Sequence, residues 1–240
     1  MTTQTQDVRM PVDLICPPCQ HTFEPKVITP QAGHTVAKSV QDCPACKEPM
    51  VTAYGVSQGT AATDERPIAR NTSAKFDEAR NFCNKLWNAS RFALGILQAG
   101  DNAAARDATP GEMLPLPDRW ILSRLTETIA ECERSLAGYQ FANYATAMYD
   151  FLWRDFCDWY LEAVKPTVAD NPLQRAVLAH VLEATVRLLH PIAPFVTEAI
   201  WEHLREVETP SLEGVQLAPA RAGGSLATAG WPRIDSAWKS

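Results

Sequence analysis

Residues 75–97 read KFDEARNFCNKLWNASRFALGIL, and this stretch decides how the rest of the chain is read. At roughly 100° per residue its apolar positions fall on one side of a helix. Phe76, Ala79, Cys83, Leu86, Ser90, Ala93, Leu94 and Leu97 form the stripe expected to enter a core. Asn81, Lys85, Asn88 and Phe92 gather on the opposite side, flanked by Arg80, Asn84 and Arg91. A large ring thus sits among amides and an ammonium on the side that should face water. A stacking ring, amides that read base edges and cations for phosphate are what recognition of single-stranded RNA requires. The same face also reads as a solvated surface with one apolar residue in it, a common arrangement.

The 240 residues suffice for a helical domain plus a small module, and 46% hydrophobic residues support a real core. A net charge of −6 excludes a broadly basic surface, so any nucleic-acid contact must be local and shape-dependent. No run of 18 apolar residues is present, and the segment MTTQTQDVRM lacks the apolar centre of a signal peptide. Seven cysteines, an odd number with three of them inside helical patterns, argue against a disulfide scaffold and for a reducing, cytoplasmic setting.

The other four cysteines form two knuckles, Cys16-Pro-Pro-Cys19 and Cys43-Pro-Ala-Cys46, with 23 residues between them. Each CxxC turn aims two thiolates at one point, and two such turns complete a tetrahedral four-sulfur site. The expected occupant is a structural zinc; iron in a rubredoxin-like site is the alternative for the same ligands. His21 and His34 are further candidate ligands, superfluous if all four cysteines bind. A redox CxxC is the rival reading, but such a motif normally occurs singly and opens a helix. The segments MPVDLI, FEPKVITP and HTVAKSV are expected as short strands, making residues 1–50 a zinc ribbon with a preceding strand. Residues 51–72 lack periodicity and contain Gly, Thr and Pro, so a linker is expected there.

Residues 73–208 are expected to form an antiparallel bundle of about five helices. Ser73 is a candidate N-cap of the first helix, which should end at Gly100. A second helix starts near Pro117-Asp118 and closes at Gly138. A third, capped by Asn143 and ended by Pro166, is apolar over most of its circumference and should be central. Its Asp150, Arg154, Asp155 and Asp158 suit bundle-bracing ion pairs. Asn171-Pro172 starts a fourth helix, broken at His190-Pro191, and a fifth starts near Pro194. His180 and His190 suit packing or capping roles. Residues 209–240 are expected as a loose tail, with Trp231 and Trp238 as candidates to dock back on the bundle.

No Gly-rich phosphate loop, nucleophile elbow, HExxH motif or paired catalytic carboxylates occur, and neither the HIGH nor the KMSKS signature of class I synthetases is present. Cys83, Cys132 and Cys157 suit small core residues rather than nucleophiles. No catalytic residue is therefore assigned.

The string KFDEARNFCNKLWNASRF resembles the start of the anticodon-binding helical domain of valyl-tRNA synthetases. LPDRWILSRL, YDFLWRDFCDWYLEAVKP and RLLHPIAPFVTEAIWEHL resemble its following helices in order. TQTQDVRMPVDLICPPC resembles the exit from the catalytic domain, where some bacterial valyl enzymes carry a zinc module. NKLWNASRF and FCDWYLE favour the valyl over the isoleucyl and leucyl enzymes. The resemblance, over about residues 5–207, implies a class I synthetase anticodon-binding bundle after a small zinc ribbon. It places anticodon contacts at Lys85, Asn88, Arg91 and Phe92, with Phe92 as the stacking ring. Arg80, Asn81 and Asn84 are weaker candidates by proximity. The implied partner is the valine isoacceptor of tRNA.

The catalytic and editing portion and the C-terminal coiled coil of that family are not in these residues. The chain is therefore expected to be a fragment, a subunit that joins a separate catalytic chain, or a free-standing relative, and not to charge tRNA alone. A protein-interaction or regulatory module without RNA binding is the alternative, to which the −6 charge lends some weight.

Overall fold

The computed structural model describes residues 12–29, 35–99, 114–207, 215–216 and 224–234. The chain divides into two compact units, residues 1–80 and 81–240.

The first unit is built from short antiparallel ribbons. Strand β1 (Asp13–Ile15) pairs with β2 (Thr22–Phe23) on one side and with β7 (Arg70–Thr72) on the other. β3 (Val27–Ile28) pairs with β4 (Val36–Ala37), and β5 (Val40–Asp42) with β6 (Pro49–Val51). The three expected strand segments all contribute. The stretch 51–72, expected as a linker, instead carries a helical turn α1 (Ala53–Ser57) and β7, and Val51 and Ile68 bridge in parallel. Its backbone groups are satisfied by returning to β1 and β6, a pairing with no periodic signature in so short a segment.

Among the described residues the core cluster of this unit is small: Leu14, Cys16, Cys43, Met50 and Ala69, with Phe23 and Cys46 half-buried beside them. Gln41 is also buried and bonds both the N–H and the carbonyl of Lys26. Gly55 is required by close approach, because a Cβ there would lie 2.4 Å from the Ser39 carbonyl oxygen.

Helix α2 spans Ala74–Ala99 and contains the boundary between the units. The second unit holds its larger part with α3 (Leu116–Ala137), α4 (Phe141–Asp150), a wide π-helical segment Phe151–Tyr160, α5 (Leu161–Val164), α6 (Pro172–Leu189) and α7 (Pro194–Leu204). A hairpin of β8 (Val215–Gln216) and β9 (Arg233–Ile234) follows, with a 3-10 turn at Leu226–Thr228. The helices thus follow the expected order. The expected third helix is one continuous run from α4 to α5 whose middle is π-helical. It begins at Phe141, so Asn143 lies inside its first turn and donates to Gln140 Oε1 at 2.9 Å rather than capping it. Asn171 does cap α6, accepting from the N–H groups of Leu173 and Gln174.

α6 is buried almost throughout, with α3 and α7 packed on it, while α3 also packs on α4 and the π segment. Leu86, Leu125, Met148, Phe156, Leu178 and Ile200 belong to one contiguous core. Several polar groups inside it pair with one another. Tyr160 donates to Asp118 Oδ1 at 2.8 Å and Gln174 to Asp118 Oδ2 at 2.9 Å. Asp155 receives Arg124 Nε at 2.9 Å and Arg154 Nε at 3.1 Å, the bracing role expected of the acidic residues on this helix. His190 ends α6 and meets Thr197 Oγ1 of α7 at 2.9 Å.

Residues 224–234, expected within a loose tail, return to the bundle. Leu226 is buried in its core, Trp231 packs half-buried against it, and Glu198 accepts from the Leu226 N–H. Trp238, His34 and most of the loop expected over 101–115 lie outside the described residues.

Candidate metal centre and nucleic-acid interface

The two cysteine knuckles occupy the turns of two hairpins, β1–β2 and β5–β6, and repeat one geometry. In the first, Gln20 N–H donates to the Cys16 carbonyl at 2.8 Å and Cys16 N–H to that of His21 at 2.9 Å. In the second, Lys47 N–H donates to the Cys43 carbonyl at 3.0 Å and Cys43 N–H to that of Glu48 at 2.9 Å. Gln20 and Lys47 both adopt left-handed backbone, with φ of 58° and 65°. Each holds it with its own side chain, Gln20 Nε2 to the Pro17 carbonyl at 2.6 Å and Lys47 Nζ to the Pro44 carbonyl at 2.8 Å.

These turns bring four sulfurs together, all within 4.8 Å of one another. Cys16 and Cys46 are 3.6 Å apart, as are Cys19 and Cys43. A tetrahedral site with metal–sulfur bonds of about 2.3 Å needs sulfurs about 3.8 Å apart, so the ligand set fits a metal ion. Burial pushes the Cys16 thiol up to about 12. Burial would raise Cys43 too, but the N–H groups of Cys46 and Ala45 and the thiols of Cys19 and Cys46 outweigh it and lower it to about 6. His21 is exposed and stacks on Phe23.

On α2 the buried positions are Leu86, Ala89, Ser90, Ala93, Leu94 and Leu97. Three residues expected in this stripe fall outside it: Phe76 and Ala79 are exposed and Cys83 is half-buried. Ala89 joins the stripe instead, a small residue with little weight in an apolar pattern. Turning the buried side toward Ala89 carries the outward side toward Asn84 and Arg91. Asn81, Asn84, Asn88, Arg91 and Phe92 are exposed, Phe92 at 37%.

Lys85 departs from the expectation of a freely solvated cation. Its ammonium lies 2.6 Å from Asp158 Oδ1 and 4.0 Å from the centroid of the Trp153 ring. Trp153 stacks on Tyr149 and Tyr149 on Phe82, with centroids 5.4 and 5.5 Å apart. Lys85 therefore stands on the shoulder of α2, where the π segment approaches. The wider turn of that segment puts Trp153 and Asp158 on one side, a placement that ordinary helical spacing does not anticipate. Phe92 sits on the same shoulder, with Lys165 Nζ 5.5 Å from its ring centroid. Arg80, described with the first unit, is ion-paired to Asp77 and adds no unmatched cation. Among the described residues Arg91 has no ion-pair partner.

Trp153, Tyr149 and Lys165, all beside the candidate face, were missed in the sequence. The signal for Tyr149 and Trp153 was the string of aromatics YDFLW, which helical periodicity assigns to a core; Lys165 carried none. Cys132 and Cys157 are buried with thiols pushed up by that burial to about 12, which fits packing rather than reactivity.

The family described as the anticodon-binding domain of tRNA ligase matches residues 118–239. A valine–tRNA ligase of Rhodopirellula baltica is 39% identical over 98% of this chain and 21% of its own length. Those of Dehalococcoides mccartyi and Latilactobacillus sakei are 39% and 33% identical over 70% and 91% of this chain, and over 18% and 24% of their own lengths. The chain thus spans about a fifth of the length of these curated relatives. A solved LeuRS–tRNA–LeuAMS complex from Agrobacterium radiobacter is similar at 19% identity and a TM-score of 0.48, over 74% of this chain and 19% of that one. Among the described residues no helix is long and apolar enough to cross a membrane.

Proposed function

Since this chain belongs to the anticodon-binding domain family of tRNA ligases, we propose that it binds tRNA and reads the valine anticodon on the exposed side of α2. The observation that carries this is the strip Asn81, Asn84, Asn88, Arg91 and Phe92, where amides, a cation and a ring share one open helix face. Phe92 would stack on an unpaired base, Asn88 would read a base edge, and Arg91 with Lys85 would meet phosphate. The valine–tRNA ligase relatives favour the valine isoacceptor, with aminoacylation carried out by a catalytic domain outside these residues.

In the first unit, Cys16, Cys19, Cys43 and Cys46 would hold one zinc ion in a structural role. Four protein ligands leave no open position, so the metal would stabilise the small ribbon and supply no reactive water.

A gel-shift titration with valine tRNA and with the same tRNA altered in its anticodon tests the reading. Saturable binding that the anticodon change abolishes is the expected result. Absence of binding at low salt would favour the alternative, a protein-interaction module that kept the bundle.

A further inference from the structure

Between α2 and α7 the second unit leaves a cleft of about 320 Å³, whose lining includes Trp87, Ser90, Arg91, Gly95, Ile200 and His203. Three features set it apart from a packing defect. The first is Gly95. Glycine inside a helix destabilises it relative to alanine, and none of the described residues requires one here, since a Cβ would meet none of their atoms within 4 Å. A molecule approaching the backbone from outside would supply the missing reason.

The second feature is Ser90, which is 1% exposed and whose Oγ has no hydrogen-bond partner among the described residues. Thr126, Thr128 and Thr185, on other helices of the same bundle, each satisfy their hydroxyl on the carbonyl four residues back. A buried hydroxyl left unsatisfied is costly unless a ligand completes it. The third feature is the pair of exposed planar side chains, the Trp87 indole from α2 and the His203 imidazole from α7, with Arg91 beside them. Arg91 also belongs to the strip proposed to contact RNA, so the cleft is continuous with that strip.

Flat aromatic walls, one hydroxyl and one guanidinium suit a nucleobase attached to a phosphate. We propose that the cleft takes one unstacked base of the bound RNA, inserted between Trp87 and His203 over Gly95, with Ser90 bonding its edge and Arg91 its phosphate. This rests on the reading that the chain binds RNA, and it assigns a second base site apart from the ring of Phe92.

The test uses the full chain and the indole N–H signal of Trp87 in NMR, assigned with Trp87→Phe. Each of the four nucleoside 5′-monophosphates is titrated first, then an RNA hairpin carrying the valine anticodon loop. At least one mononucleotide should shift the Trp87 signal saturably. Gly95→Leu, which fills the cleft from a helix-favouring residue, should abolish that shift and weaken hairpin binding about tenfold or more, without lowering the melting temperature. Ser90→Ala should narrow the differences among the four nucleotides. A Trp87 signal unmoved by all four, or Gly95→Leu binding the hairpin within twofold of wild type, overturns the cleft proposal. If Phe92→Ala alone abolishes hairpin binding in that case, the RNA-binding reading survives without the cleft. Mononucleotide shifts that Gly95→Leu removes, with no hairpin binding, would sink the anticodon reading and with it the cleft's role as a base site for bound RNA.

Discussion

Lys85 Nζ lies 2.6 Å from Asp158 Oδ1, joining α2 to the π-helical segment across a separation of 73 positions in the sequence. The pair is half open to solvent, so its contribution to stability is small, about 0–1 kcal/mol. Its larger effect is on the local field, because Asp158 offsets a cation at the edge of the proposed RNA face. Asp158→Asn should therefore tighten tRNA binding and steepen its salt dependence, with a melting temperature close to that of wild type. Lys85→Ala should weaken binding and make it less salt-dependent. Equal affinity for Asp158→Asn and wild type at low salt would remove Lys85 from the phosphate contacts.

Phe92 bears on the same face but through its ring. At 37% exposure it contributes little to the core. Phe92→Ala should weaken tRNA binding by about 1–3 kcal/mol, the range for loss of one base–aromatic stack. Thermal unfolding should move little. A large drop in melting temperature would show instead that the ring packs as a core residue.

The order of the helices and the caps at Asn171 and Ser73 could be read from the sequence because each rests on contacts between near neighbours. Ser73 Oγ accepts from the Lys75 N–H, as a cap residue should. The four cysteines were legible for another reason: ligand identity and spacing carry the geometry of a metal site. What could not be read was set by distant pairing. Asp158, Trp153 and Lys165 reach the α2 shoulder through a π-helical segment that periodicity treats as an ordinary helix. Strand β7 and the turn at Leu226 are too short to carry a period, and the fold places them by what they meet. The cleft at Gly95 depends on α7, far along the chain, so a glycine in a helix pattern gave no hint of it.

The cysteine cluster makes a stoichiometric prediction. The purified chain should contain about one zinc per chain, as a closed four-cysteine site does. Iron would show as a coloured, rubredoxin-like centre in the visible spectrum, and absence of any metal would undo the assignment. With so small a core in the first unit, the metal should supply much of its folding energy. A strong chelator should make residues 12–72 sensitive to protease while the helical circular dichroism of the bundle persists.

Asp118 gives the bundle a pH dependence of definite sign. Burial raises its carboxyl above the ordinary value of 3.8, and the hydrogen bonds from Gln174 and Tyr160 only partly offset this. In the window between the unfolded value and the raised folded one, the folded state binds more protons than the unfolded state. Stability should therefore fall as pH rises through that window and be highest below it, as far as this group is concerned. Denaturant titrations from pH 3 upward should show the slope, and Asp118→Asn should flatten it. A slope that survives Asp118→Asn would place its origin in another group.

Gly55 is fixed by backbone against backbone. A Cβ at this position would lie 2.4 Å from the Ser39 carbonyl oxygen and 3.0 Å from its carbonyl carbon, and no flexible side chain stands there to give way. The same Ser39 oxygen receives the Thr52 N–H at 3.0 Å, so moving it would also pull on the cap of α1, where Thr52 Oγ1 accepts from the Gly55 N–H. Gly55→Ala should thus destabilise the first unit by about 1–3 kcal/mol, the usual range for overpacking, despite alanine's higher helix propensity. Because β5 and β6 carry the Cys43 knuckle and flank this contact, the variant should also release its metal at lower chelator concentration than wild type. Retention of metal and wild-type thermal stability together would show that the two segments can part without cost.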